Sequence, residues 1–393
     1  MNSEILNIEI QAFINKNLDS EVSKLLLKGT DFEQVSTKEL IEQIEAKLKS
    51  KKKLPTWFGT ENIYYPNKLN IEQTSSELAA LHKSQLLSGN SIIDITGGFG
   101  VDCYYFSKQF KNVTHCEINE TLSSIVKHNY KYLGVTNIHT ITEDGLKYLS
   151  SHDHTYDWIY IDPSRRHDSK GKVFFLKDCL PDVPSHLEDL FRYSHNIAVK
   201  TSPLLDLTVG LNELKYVKEI HIVAIKNEVK ELLWILENGF NNDVIVKTVN
   251  IMENKKNVFS FQLNTEAIAK VTYGSPQNYL YEPNAAILKS GGFNSVSESL
   301  KLSKLHQHSH LYTSENLIEF PGRSFEVKSV IDYNKKNLKV LNISKANVTT
   351  RNFPETVQQL RKKYRIKDGG NTYLFFTTNN FNEKIVIVCY KVP

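Results

Sequence analysis

Along the chain, short runs of consecutive apolar residues alternate with stretches in which apolar positions recur every three or four residues. The first pattern belongs to parallel strands buried on both faces, the second to amphipathic helices. The spacing predicts strands near 91–95, 113–118, 138–142, 157–162, 195–200, 219–225 and 230–236, with helices near 101–110, 120–133, 183–193 and 204–214 between them. Such alternation implies a doubly wound α/β sheet with right-handed crossovers. Only a short turn, 226–229, separates the last two strands, so they form an antiparallel hairpin: six strands run parallel and one is reversed.

The pattern differs on either side of this sheet. Residues 5–18, 21–27 and 37–52 read as helices, the third capped by Ser36 or Thr37, and Leu54-Pro55 breaks the series. Another helix opens after Ile71 and runs to about Leu87, with Ser75 or Ser76 as its cap and free N–H groups able to hold an anion. Past residue 236 the strands shorten to 244–249 and 258–262, and Tyr273-Gly274-Ser275-Pro276 is turn chemistry. Beyond it, 282–289, 297–302 and 354–364 read as helices, and 324–330, 337–343, 373–377 and 384–390 as strands. The expected divisions are an N-terminal helical region (1–70), the sheet domain (71–272) and an α+β domain of ferredoxin-like size (273–393).

Candidate chemistry gathers at the strand ends. The first strand closes in Asp94-Ile95-Thr96-Gly97-Gly98-Phe99-Gly100-Val101-Asp102, a sharp strand-to-helix turn with glycines where the backbone passes close to a ligand. A dinucleotide fingerprint ends in Gly or Ala, whereas Cys103 takes that place here. A carboxylate before the glycines suits S-adenosylmethionine, whose amino and sulfonium groups are cationic. Glu117, about twenty residues on, ends the second strand where a ribose diol would be held. Glu143-Asp144 follows the third strand, where an adenine edge is read, and Asp162-Pro163 follows the fourth. Four successive strand ends therefore carry ligand-compatible groups on the edge where parallel sheets bind ligands.

Composition narrows the picture only a little. The 393 residues, 40% apolar and 23% charged, are those of an ordinary globular protein with room for two or three domains. A net charge of +4 names no partner, although 47–53 and 361–367 are local basic runs. Cys103, Cys116, Cys179 and Cys389 stand far apart, as reduced thiols of a cytoplasmic protein would. Residues 1–19 lack the features of a secretory signal, and no apolar run approaches the roughly 20 residues of a membrane span. His306, His308 and His310 alternate as along a strand face but lack companion metal ligands, so no metal is expected.

These motifs resemble the class I S-adenosylmethionine-dependent methyltransferases. With Glu72-Gln73-Thr74-Ser75-Ser76 and Asp162-Pro163-Ser164-Arg165-Arg166 they look like a bacterial branch of that family. Asn347 to Pro354 and Lys367-Asp368-Gly369-Gly370 through Tyr373-Leu374-Phe375 resemble its ferredoxin-like/THUMP-like C-terminal domain. The resemblance implies a Rossmann-like seven-stranded sheet and a cofactor site of Ser75, Asp94, Thr96, Gly97, Gly98, Gly100, Asp102, Glu117, Asp144 and Asp162. It implies RNA, tRNA or rRNA, as the partner, since THUMP domains are RNA-binding appendages of tRNA-modifying enzymes. Asp162 and Pro163 stand where such enzymes hold the N–H of a base nitrogen. The usual second proline and stacking aromatic are replaced by Ser164-Arg165-Arg166, whose guanidiniums suit phosphate or a base face. Lys200 joins the catalytic candidates. Lys83, Asp162, Lys200 and Glu228 resemble, in order, the lysine–aspartate–lysine–glutamate set of ribose 2′-O-methyltransferases. Arg361 and Lys362, with Lys363 and Arg365, are the expected RNA contacts of the C-terminal domain. Methylation of a protein or small molecule, and a scaffold without turnover, are the other readings.

Overall fold

The apolar runs of the sheet domain fold as short, buried strands: β1 (Ser91–Asp94), β2 (Asn112–Cys116), β3 (Ile138–Ile141) and β4 (Trp158–Ile161). A separate two-stranded ribbon, β5 (Ser164–Arg165) with β6 (Cys179–Leu180), follows before β7 (Asn196–Thr201), β8 (Val217–Ile225), β9 (Glu228–Glu237), β10 (Ile245–Ile251) and β11 (Lys256–Gln262). This computed structural model describes residues 1–30, 32–165, 175–253 and 255–392. The main sheet has the order β11-β10-β8-β9-β7-β4-β1-β2-β3. β1 pairs in parallel with β2 and β4, β4 with β7, and β9 runs antiparallel to β7. The six-parallel, one-reversed pattern is therefore present, and β10 and β11 extend the sheet beyond β8. The two-residue turn Lys226-Asn227 has positive φ at both positions (51° and 63°), the conformation that closes tight hairpins.

The chain divides into two compact units, Met1–Lys218 with Leu232–Asn241, and Glu219–Glu231 with Asn242–Pro393. In the first unit, helix Thr37–Lys53 begins with a reciprocal cap between Ser36 and Glu39. Ile10, Leu40, Ile44 and Trp57 from this helical region share one apolar core with Ile92, Phe106 and Val113 of the sheet domain. Three lysines of the basic run 47–53 have structural roles: Lys47 is buried, Lys49 pairs with Glu72 at 2.8 Å, and Lys53 donates to the Ile71 and Glu72 carbonyls.

The second unit also holds an eight-stranded sheet: β12 (Thr272–Tyr273), β13 (Tyr279–Pro283), β14 (Ser303–Lys304), β15 (Tyr312–Ser314), β16 (Gly322–Asp332), β17 (Asn347–Arg351), β18 (Thr372–Thr378) and β19 (Lys384–Lys391). Along β18 and β19 alternate residues face opposite sides, as the strand period dictates. Leu374, Phe376, Val386 and Val388 pack with Leu338 and Leu360, while Phe375, Ile385, Ile387 and Cys389 pack with Leu280, Leu305, Leu311 and Phe325.

Three expectations are corrected in this unit. Residues 337–343 are not a strand; the helix Lys335–Val340 occupies their start, because Asn334 caps it through the Asn337 amide (2.8 Å) and Leu338 alone of its turn enters the core. Glu282 lies in β13, and the expected helix starts only at Ala285, after Asn284 caps it through the Ile287 amide. His306, His308 and His310 stand in a turn, where His306 bonds Asn382 (3.0 Å) and Asn352 (3.1 Å). No group of metal ligands occurs among the described residues, and no helix among them is long and apolar enough to cross a membrane.

Candidate active site

The turn after β1 is shaped by contacts that admit only glycine. Gly100 has φ +76°, and a side chain there would overlap Tyr130, whose hydroxyl donates to the Gly100 carbonyl at 2.8 Å. Gly97 lies so close to the His115 ring that a Cβ would overlap it. Burial lowers the His115 pKa to about 4, so the ring is neutral at pH 7 and its Nε2 lies 3.3 Å from the Gly98 carbonyl.

This tight turn puts three carboxylates within electrostatic reach of one another. Asp94 is buried, and its Oδ1 accepts from the Thr96 amide (2.9 Å) and hydroxyl (3.0 Å). Burial, reinforced by the charges of Asp102 and Asp162 and opposed by the Thr96 amide, pushes the Asp94 pKa up to about 7. The Thr96 hydroxyl oxygen also accepts the Asp162 amide hydrogen at 2.7 Å. Asp162 follows Ile161, which is in register with Val199 of β7, so the next residue, Lys200, stands beside it. Lys200 Nζ pairs with Asp162 Oδ2, while Asp162 Oδ1 accepts nothing among the described residues; the side chain is 32% exposed.

A second cluster lies at the start of helix Val101–Phe106. Lys83 is fully buried and pairs with Asp102 at 3.1 Å; it also donates to Ser75 (2.8 Å), whose hydroxyl donates to Asp102 Oδ2 at 2.8 Å. The Tyr160 hydroxyl donates to the same oxygen at 2.9 Å. Burial by itself would raise the Asp102 pKa, but Lys83 and then Lys200 outweigh it and hold the carboxyl below its ordinary value. The two serines thus divide their work: Ser76 caps helix Glu77–Leu86 through the Ala79 amide, and Ser75 enters this cluster.

At the end of β2, Glu117 accepts the amide hydrogens of Gly98 (3.0 Å) and Asn119 (2.7 Å), yet burial raises its pKa. Ile118 beside it is 70% exposed. Asp144 caps helix Gly145–Ser151 through the Lys147 amide at 3.0 Å. Pro163 is buried, and the Arg165 backbone pairs with Cys179 in the ribbon; Arg166 lies outside the described residues.

Lys83 and Glu228, of the lysine–aspartate–lysine–glutamate resemblance, both have local partners. Lys83 is bound to Asp102 and Ser75, and Glu228 pairs with Lys230 at 2.6 Å. Arg361 is paired with Asp368 and bonds the Ala346 carbonyl, whereas Lys362 is exposed. Tyr160 was missed in the sequence because it sits inside an apolar run that reads as core throughout. The Thr96 bridge carried no signal beyond its place in the turn.

The C-terminal residues match two family models, a ferredoxin-like domain over 279–321 and a THUMP domain-like model over 322–391. A protein from Porphyromonas gingivalis W83, assigned as a methyltransferase, is 31% identical with a TM-score of 0.90, over 100% of this chain and 99% of that one. A Streptococcus mutans protein assigned as a methyltransferase and solved with SAH is 13% identical, with a TM-score of 0.31 over 41% of this chain and 96% of its own. The tRNA m1G37 methyltransferase of M. jannaschii is 14% identical, with a TM-score of 0.29 over 43% of this chain and 51% of its own. No curated protein matches the chain. The chain belongs to the class I S-adenosylmethionine-dependent methyltransferases. Within them it falls in the branch that carries ferredoxin-like and THUMP-like C-terminal domains, with the Porphyromonas gingivalis protein.

Proposed function

We propose that the chain methylates RNA, tRNA or rRNA, at a base nitrogen. The observation that carries the reading is Asp162, paired with Lys200 through one oxygen and, among the described residues, without a donor at the other. That free oxygen accepts the N–H of a base and turns the nitrogen lone pair toward the methyl donor. Positioning of this kind contributes much of the rate in a displacement that needs no covalent intermediate. Pro163 stiffens the loop, the Thr96 hydroxyl holds the Asp162 amide, and Arg165 and Arg166 are proposed to meet phosphate or the base face.

The residues fit S-adenosylmethionine. A buried carboxylate such as Asp94 is costly unless a donor or a cation compensates it, and the Thr96 bonds leave its pKa near 7. Glu117 and exposed Ile118 offer a carboxylate for a diol and an apolar face for a purine. Asp94, Thr96, Gly97, Gly98, Gly100, Glu117 and Asp144 would hold the cofactor, with Ser75 and Asp102 at its other end. When bound, it supplies an electrophilic methyl group.

RNA is favoured by the THUMP domain-like match and by the charge of that segment. Between 333 and 371 lie ten of the chain's 48 lysines and arginines but two of its 44 acids. The ribose-hydroxyl reading loses support because Lys83 is bound to Asp102 and Ser75. Methyl-labelled cofactor, the purified protein and RNA, protein and metabolite extracts from a deletion strain test the proposal. Label in a base-methylated nucleoside is expected; label confined to protein or metabolites would refute it.

A further inference from the structure

We infer that RNA is engaged through the exposed face of helix Lys335–Val340 together with Lys345 and Lys362, and not through Arg361 and Lys363. The inference rests on the reading of RNA as substrate and adds where it is gripped. Leu338 of this helix and Leu360 of helix Val357–Tyr364 enter one core with Leu374, Phe376, Val386 and Val388. Both helices therefore cover the same side of the β18–β19 sheet and turn their outer surfaces away from it.

Charge on these surfaces is distributed unlike charge elsewhere. Over much of the chain exposed lysines meet acids: Lys24 with Glu21, Lys68 with Glu45, Lys215 with Glu188, Lys226 with Glu253. Lys335, Lys336, Lys339, Lys345 and Lys362 are exposed, and no carboxylate among the described residues pairs with any of them. Arg361 and Lys363 are spent internally: Arg361 pairs with Asp368, and Lys363 pairs with Glu355 (2.8 Å) and donates to Tyr333 (2.9 Å). Stability does not account for Lys335 and Lys336, which occupy a first helical turn, where a cation is disfavoured. The 333–371 segment has eight more cations than acids, against +4 for the whole chain, so the remainder is net negative. A phosphate backbone is the partner that such segregation fits, since each neutralised phosphate releases counterions.

The test uses the full-length protein and labelled bulk tRNA over a series of salt concentrations. Lys335→Gln/Lys336→Gln/Lys339→Gln should weaken binding by about tenfold or more and lower the salt slope by about two to three. Its affinity for S-adenosylhomocysteine should stay at the wild-type value. Arg361→Gln/Lys363→Gln should leave the salt slope unchanged while lowering the thermal midpoint. If the wild type methylates RNA but the triple variant binds it with unchanged affinity and slope, this inference fails and the substrate reading stands. If the wild type neither binds nor methylates RNA, both fail. Equal retention of polyglutamate and tRNA at the same ionic strength would also overturn it, marking a surface for acidic peptides.

Discussion

The Thr96 hydroxyl accepts the amide hydrogen of Asp162 at 2.7 Å, so the turn after β1 holds the residue that follows β4. The same hydroxyl donates to Asp94 Oδ1, linking the proposed cofactor carboxylate to the proposed catalytic one. Thr96→Val keeps the shape of the side chain and removes both bonds. It should lower kcat by roughly 10- to 100-fold, because small misplacement of a positioned group is amplified in the rate. KM for S-adenosylmethionine should change less, and Thr96→Ser should restore most of the turnover. A Thr96→Val enzyme with normal kcat would show that the bridge positions nothing.

The raised pKa of Asp94 gives a pH dependence with a defined sign. Near pH 6 the buried carboxyl is mostly protonated, and near pH 8 mostly ionised, since its pKa is about 7. A cationic ligand group favours the ionised form, so cofactor affinity should rise between pH 6 and 8, by less than tenfold per pH unit, with proton release. In the free protein the folded pKa lies above the ordinary value, so the contribution of Asp94 to stability is fullest below about pH 4. It is lost as pH rises through about 7. Calorimetry in two buffers of different ionisation enthalpy measures the proton count. Asp94→Asn should abolish the release; proton release at the wild-type level in that variant would contradict the assignment.

How much of this could be read from the chain alone differs between its two halves. The strands of the main sheet were legible because residues such as Ile92, Ile93, Ile159 and Ile161 are buried on both faces and form unbroken apolar runs. The β1 turn was legible because Gly97 and Gly100 stand where His115 and Tyr130 exclude any side chain. The partners of Asp102 were not, since Lys83, Ser75 and Tyr160 come from three separate segments and meet only through the fold. In the C-terminal part, Leu338, Val340, Leu341 and Ile343 fit an alternating strand as well as one short helix, so Asn337 to Ile343 does not separate the two. The Asn334 cap decides it.

Lys83 and Asp102 are a buried pair whose parts are worth less alone than together. Lys83→Met leaves Asp102 buried, with the Ser75 and Tyr160 hydroxyls as its remaining hydrogen-bond donors among the described residues and Lys200 as a nearby charge. Removing one member of such a pair costs about 3–5 kcal/mol, and these two donors place the loss toward the lower end. Thermal or denaturant unfolding should show it. Adding Asp102→Asn should recover part of the loss, because the uncompensated charge is then gone. A double variant no more stable than Lys83→Met alone would mean that the pair is not the source of the effect.

Asp162 and Lys200 separate nitrogen from oxygen chemistry most directly. Asp162→Ala removes the open Oδ1 acceptor and also leaves the Lys200 ammonium, itself mostly buried, without this carboxylate. Turnover should fall by about 100-fold or more, with cofactor affinity within a few-fold of the wild type. The fold should survive, since Asp162 lies at the sheet's edge and its amide keeps the Thr96 bond. Lys200→Met leaves Oδ1 in place. For a base nitrogen, whose lone pair is oriented by an acceptor, the loss should therefore be mild, on the order of 10-fold or less. A ribose hydroxyl needs a nearby ammonium to favour its ionised form, and Lys83 cannot substitute because it is held by Asp102 and Ser75. Lys200→Met would then be as damaging as Asp162→Ala. Steady-state rates of both variants on deletion-strain RNA, with identification of the methylated nucleoside, distinguish the two: equal losses would move the acceptor from base to ribose.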